Sequence, residues 1–361
     1  MATISSAPAL EVPATLEAAL DPGWLTRVLA PVSSGAAVTG VETVEVLRTV
    51  ATKVRFKATF ADGSEPQAFC LKGLLDVDEM SARGGATTVR EADFYGEIAP
   101  HVAIRVPECI ARVIDRERQQ AVIVMRDLIA AGARFNSALE PFTTEQAAAS
   151  VEQIARLHAG SALLDSMPWI TRRIGDLAEA RYVAAPRLQE MLEGPRGDGL
   201  PAAVRDAERL IAGMRALAAR DSERREFLVH GDGHAGNTYH ISDGPGLIDW
   251  QLLQRGGWAL DVAYHLCAVL PVKLAEREER ALLDHYLAAA RGLGCIVPER
   301  EEAWRQYRES VLYGYYLWAI TQRVDPPIIV QFVQRLGAAV ARHDSHRLLG
   351  LAAPRTAKSP G

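Results

Sequence analysis

The chain has 361 residues, 48% hydrophobic and 24% charged, with a formal net charge of -5. That length and apolar content supply core for two lobes or domains, and the weakly acidic balance argues against nonspecific nucleic-acid binding through a basic surface. Cys70, Cys109, Cys267 and Cys295 form no C-x-x-C pair, which leaves no basis for a zinc knuckle or a disulfide framework and points to a reducing cytoplasm. The opening stretch "MATISSAPALEVPATLEAAL" has no basic start and no continuous apolar run. No later run reaches the roughly 18 apolar residues of a membrane helix, so neither export nor a membrane partner is expected.

In chain order, residues 1–34 read as an N-terminal extension with a short helix. The runs "VETVEVLRTV", "KVRFKATFADG", "QAFCLKGLL" and, later, "QQAVIVMRDL" are rich in β-branched and apolar residues, with Asp62-Gly63 marking a turn. They predict a mostly antiparallel sheet over residues 35–128. One helix interrupts it at "TTVREADFYGEIAP", where Val89, Ala92, Gly96 and Ala99 share a face and Pro100 follows the end. From about Thr143 the spacing turns helical, in "TTEQAAASVEQIARLHAGSALL", "PAAVRDAERLIAGMRALAAR", "EREERALLDHYLAAARGLG" and "EEAWRQYRESVLYGYYLWAI". Residues 129–350 are therefore expected to be mainly α, with 351–361 a loose tail. The exception is "REFLVH" and "GPGLIDW", which read as two short strands flanking a polar loop. The fold class expected is α+β, with a small β-rich N-terminal lobe and a larger helical C-terminal lobe.

The polar loop lies within "HGDGHAGNTYHISDGPGLIDWQ", which gathers three histidines, three aspartates and an asparagine. Phosphoryl transfer asks the protein for a base beside the acceptor hydroxyl, oxygen ligands for magnesium and a cation on the nucleotide phosphates. Asp232 and Asn237 have the D-x-x-x-x-N spacing of a kinase catalytic loop, and Asp249 ends the next apolar strand. Asp232 is the candidate base, and Asn237 and Asp249 are the candidate metal ligands, converging if the two flanking strands form a hairpin. Lys72, the single charge closing "FCLKGLL", is the candidate phosphate cation. Glu91 on the following helix is its carboxylate partner, with Glu97 in reserve. The strand "AVIVMRDL" would connect the lobes, its exposed backbone from Arg126 to Leu128 meeting the adenine edge of a nucleotide bound between them.

Together, "FCLKGLL", "READFYGEIAP", "VIVMRDL", "IARLHA", "HGDGHAGN", "LIDWQ" and "DVAYHL" resemble the aminoglycoside phosphotransferase and choline kinase group, most closely its ecdysteroid-kinase-like branch, over about residues 40 to 290. The resemblance implies a bilobal protein-kinase-like fold, ATP and Mg2+. It makes Lys72 the phosphate lysine, Glu91 its partner, Asp232 the base, Asn237 and Asp249 the metal ligands, and His230 and Asp261 structural supports of the loop. One departure stands out: "RTVATKVRF", where a glycine-rich phosphate loop is expected, contains no glycine, leaving Thr49, Thr52 and backbone amides for that task.

Each assignment has a structural rival. Asp232 and Asn237 suit a turn, Glu91 completes a capping box with Thr88, Lys72 can snorkel from a strand end, and Asp261 can cap "DVAYHLCAVL". Met125 reads as core, His158 as a packing or hydrogen-bonding histidine, and Trp304, Tyr307, Tyr313, Tyr315, Tyr316 and Trp318 as either core or an acceptor wall. A dinuclear metallophosphoesterase would use His230, His234 and His240, but it also wants an early Asp-x-His pair, and Asp344-Ser345-His346 lies late. A catalytically weak, kinase-like nucleotide-binding protein is the other alternative. A protein kinase is disfavoured by the short stretch "QLLQRGGWALDVAYHL" after Asp249, which holds no APE-type segment. The function expected is ATP- and Mg2+-dependent phosphorylation of a hydroxyl on a small, substantially apolar molecule in the cytoplasm.

Overall fold

The computed structural model describes residues 10–48, 51–77, 84–179 and 182–351. Two compact units divide the chain, one of residues 1–100 and 106–133, the other of 101–105 and 134–361.

In the N-terminal unit, β1 (Val38–Arg48), β2 (Thr52–Phe60), β3 (Gln67–Gly73), β4 (Cys109–Asp115) and β5 (Gln120–Arg126) form one antiparallel sheet in the order β1-β2-β3-β5-β4. The turn expected at Asp62-Gly63 is present, with Gly63 at φ 75. Side chains alternate between faces. Val54, Phe56, Phe69, Leu71, Val122 and Val124 bury one face, with Leu25 and Leu29 of the N-terminal helices in the same core. The other face carries Cys70, Lys72, Ile123 and Met125 in cross-strand register. β4 was not among the expected strands, because "CIARVID" at a sheet edge mixes charged and apolar residues and is only partly buried.

Helix α1 (Gly85–Asp93) carries Glu91 and packs on β4 and β5. Its last turns widen into a π segment, Phe94–Ile98. The Thr88–Glu91 capping box does not form. The helix starts three residues earlier, so Thr88 is interior, and its hydroxyl donates back to Gly85 O at 2.8 Å. Asp93, almost fully buried, anchors the helix by a two-pronged bond to Arg116 (2.8 and 2.9 Å).

The C-terminal unit is mainly helical: α2 (Thr144–Ala159), α3 (Ala207–Ser222), α4 (Ala259–Val269), α5 (Val272–Gly292), α6 (Arg300–Ile320) and α7 (Pro326–His343), with shorter turns between them. A capping box between Thr143 and Gln146 starts α2. All of α4 is buried, as expected of a helix apolar over most of its surface. The pairing expected between "REFLVH" and "GPGLIDW" does not occur. β7 (Phe227–Val229) pairs with β10 (Gln254–Gly256), while β8 (Thr238–Ile241) pairs with β9 (Gly244–Leu247) and with β6 (Arg134–Phe135). The chain reverses at Ser242-Asp243-Gly244, where Gly244 takes φ 113, so β9 meets the nearer strand β8. Among the described residues no helix is long and apolar enough to cross a membrane.

Asp93→Ala removes charge-assisted hydrogen bonds that fasten α1 and should lower stability by about 2 kcal/mol. A fall in the urea midpoint at unchanged slope would show it, and an unaltered midpoint would mean that α1 is held by apolar packing alone.

Candidate active site

β7 runs directly into the loop that begins at His230. The loop's first two amides point at Asp261 in the first turn of α4: His230 N donates to Oδ2 and Gly231 N to Oδ1, each at 2.8 Å. His158 Nε2 donates to Oδ2 at 3.3 Å, while its Nδ1 accepts from the Tyr286 hydroxyl at 2.6 Å. Burial alone would push the Asp261 carboxyl up, but the hydrogen bonds from His158 and the Gly231 amide outweigh it and hold the group below its ordinary value. Asp261 therefore satisfies the loop's backbone and leaves its own helix uncapped. Gly231 has φ 80, and a Cβ there would stand 2.4 Å from Leu252 O, so no other residue fits.

His230 links the loop to the strand beyond it. Its Nδ1 accepts from Asp232 N at 3.1 Å, and its Nε2 donates to Ile248 O at 3.0 Å. Ile248 N donates to Asn237 O at 3.0 Å. These bonds, rather than pairing of the flanking strands, draw Asp249 to the loop. Asp249 itself takes a left-handed φ of 67.

The five-residue spacing of Asp232 and Asn237 closes over a short 3-10 turn, Ala235–Asn237. Asn237 Nδ2 reaches both the Asp232 carbonyl (3.0 Å) and its Oδ2 (3.1 Å). Oδ1 accepts from the Tyr264 hydroxyl at 3.0 Å, and His234 Nε2 lies 3.7 Å from Oδ2. Burial pushes the Asp232 carboxyl up to about 6, and the nearby charge of Asp249 adds to the rise, while His230, Tyr264 and Asn237 oppose it.

In the N-terminal unit, Lys72 Nζ stands 2.6 Å from Glu91 Oε2, with both side chains at most 5% exposed. The strand-end snorkel does not describe such a lysine. Glu97 lies 3.9 Å from Arg116 on a more open surface. The Arg126–Leu128 backbone is less open than expected. Arg126 N donates to Glu108 O, Asp127 N to Ala68 O, and Leu128 O accepts from Ala133 N, because Asp127 folds the segment into a turn by accepting from Ile129 N. The Arg126 side chain bonds Gln67 and lies over the Phe69 ring. Thr52 spends its hydroxyl on Leu75 O at 3.1 Å, and Thr49 lies outside the described residues.

The residues around Asp232 were not singled out from the sequence. Tyr264 and His265 follow Asp261 at i+3 and i+4, so α4 presents three polar groups on one side of an otherwise apolar helix. Asp261 takes the loop's first amides, His265 Nδ1 donates to Gly233 O, and Tyr264 reaches Asp232. That periodic polar stripe in an apolar helix was the available signal. Tyr307, Tyr313, Tyr315, Tyr316 and Trp318 are buried, as core residues are. Among the described residues no group of three His, Cys, Asp or Glu is arranged to hold a metal ion, and both ring nitrogens of His230 are bound to backbone.

Residues 80–309 match the model of the phosphotransferase enzyme family, well over half of the chain. The chain belongs to that family, and the enzyme class expected from its sequence is borne out, as is the α+β division into a β-rich N-terminal and a helical C-terminal part. Among solved structures it is similar to a choline/ethanolamine kinase family protein from Mesorhizobium loti (19% identity, 90% of this chain and 97% of that one, TM-score 0.49). It is also similar to a choline kinase from Streptococcus pneumoniae (13%, 89% and 99%, 0.47). A third is an amicoumacin kinase in complex with AMP-PNP and Ca2+ (13%, 88% and 93%, 0.47). No curated protein matches the chain.

Burial pushes the folded Asp232 carboxyl up to about 6, against about 3.9 for an unfolded one, so its ionisation opposes folding as the pH rises through that window. Asp232→Asn should therefore raise the thermal midpoint at pH 8 without added metal, with the gain fading as the pH falls toward 4. Equal midpoint changes at both pH values would refute this.

Proposed function

We propose that the protein transfers the γ-phosphoryl group of ATP to a hydroxyl of a small, substantially apolar molecule, with Asp232 as the base. The observation that carries this reading is the gathering of Asp232, Asn237 and the Ile248-Asp249 segment on one hydrogen-bonded loop, with Asp249 close enough to raise the Asp232 carboxyl. The acceptor oxygen bonds to the γ-phosphorus as the bridge to the β-phosphate breaks. ADP departs, and the hydroxyl proton goes to Asp232.

Asn237 turns both amide hydrogens toward Asp232, which leaves its Oδ1, with the Asp249 carboxylate, as the oxygen ligands for Mg2+. Bound there, magnesium would neutralise charge on the phosphate oxygens. Lys72, fixed by Glu91, serves the α- and β-phosphates. The main chain of Arg126 to Leu128 takes the adenine edge, in the role that segment plays in kinase folds. His230 and Asp261 hold the loop to which the base belongs. Four cysteines without a disulfide suit a reducing cytoplasm.

ATP consumption across a panel of hydroxylated metabolites, with mass detection of a phosphate adduct, tests the activity. Asp232→Asn should lose more than about 100-fold in turnover while retaining ATP binding. Full turnover in that variant would remove the base assignment. Lys72→Ala should raise the KM for ATP, and Asp249→Asn should raise the magnesium concentration needed for half-maximal rate. An unchanged magnesium titration would remove the ligand role. ATP binding with no phosphorylated product on any acceptor would favour a nucleotide-binding protein without turnover, consistent with the glycine-free "RTVATKVRF".

A further inference from the structure

We infer that Tyr264 and Trp318 are positioning residues for the base, forming a one-way donor chain from the indole through the phenol to Oδ1 of Asp232. This rests on the assignment of Asp232 above. Trp318 Nε1 donates to the Tyr264 hydroxyl at 2.6 Å, and that hydroxyl lies 3.0 Å from Oδ1. An indole N–H can only donate and a phenol has a single proton, so the Tyr264 hydrogen is committed to the carboxylate.

Both aromatic residues are locked in place. Trp318 stacks on Phe332 with ring centres 4.1 Å apart. Gly314, one turn earlier on α6, lets the helix backbone lie against the Tyr264 ring, since a Cβ there would stand 2.4 Å from Cδ2. The same helix supplies Tyr313, which donates to Gly231 O at 2.8 Å and accepts from Gln254 at 2.9 Å. Helix α6 thus touches the loop at its glycine and, through Tyr264, at its carboxylate. With Oδ1 held by Tyr264 and Oδ2 facing Asn237, the carboxylate cannot turn about its Cβ–Cγ bond. A lone pair on Oδ2 is left as the proton acceptor.

Tyr264→Phe removes the hydroxyl and keeps the ring. With Mg·ATP as substrate and water as acceptor, its kcat should fall about 10-fold, while the KM for ATP stays near the parent value. Trp318→Phe should lose turnover too, and the double variant should lose no more than Tyr264→Phe alone, because Trp318 acts through Tyr264. The Trp318 indole N–H resonance, identified by its absence in Trp318→Phe, should move in both Tyr264→Phe and Asp232→Asn. An unchanged kcat in Tyr264→Phe, additive losses in the double variant, or an indole resonance indifferent to Asp232→Asn would overturn the inference. Parent-like turnover in Asp232→Asn would instead remove the assignment beneath it, and the resonance would still report whether the donor chain exists.

Discussion

The Asp261 carboxylate is the constraint from which the rest of the loop follows. Two consecutive backbone amides at the mouth of β7 point into a helical core, where an unmet donor carries a desolvation penalty of about 1–3 kcal/mol. Asp261 meets both. Its charge is tolerated because His158 from α2 donates to the same group and is itself bonded by Tyr286 of α5. Three helices and a strand therefore share one buried anion, and the backbone turn it fixes sets the direction in which His230, Asp232 and Asn237 leave the loop.

Asp232 shows the opposite arrangement. Where hydrogen bonds outweigh burial at Asp261, burial dominates at Asp232, and the charge of Asp249 adds to the rise in its proton affinity. The two aspartates belong to one short stretch of structure, and their environments push them in opposite directions. Asp261 is held toward its charged form and Asp232 toward its protonated form, a separation that fits the roles of support and base proposed for them.

Much of this was legible in the sequence, for reasons that differ by residue. Lys72 and Glu91 were readable because a lone cation ending an apolar strand needs a buried partner, and the first helix after it supplies one. Asp232 and Asn237 were readable from their spacing. The strand pairing was not: three- and four-residue strands carry too little pattern to fix a partner, so the expected hairpin gave way to the β8–β9 hairpin and the pairing of β7 with the distant β10. β4 escaped because an edge strand keeps charged residues on its open face. The capping box at Thr88 looked sound locally and failed because α1 begins upstream of it. Tyr264 escaped, and Trp318 was read only as core or acceptor wall, because in composition an aromatic residue that fills a core cannot be told from one whose polar atom also makes a directed hydrogen bond.

The left-handed backbone at Asp249 narrows what can stand there. Side chains other than asparagine, aspartate and glycine meet steric penalties in that region, and branched ones meet the most. Glutamate would offer the same carboxylate chemistry on a longer side chain that does not share the preference of aspartate and asparagine for this region. Of the residues this backbone accommodates at low cost, asparagine would keep a side-chain oxygen there and glycine would remove it altogether.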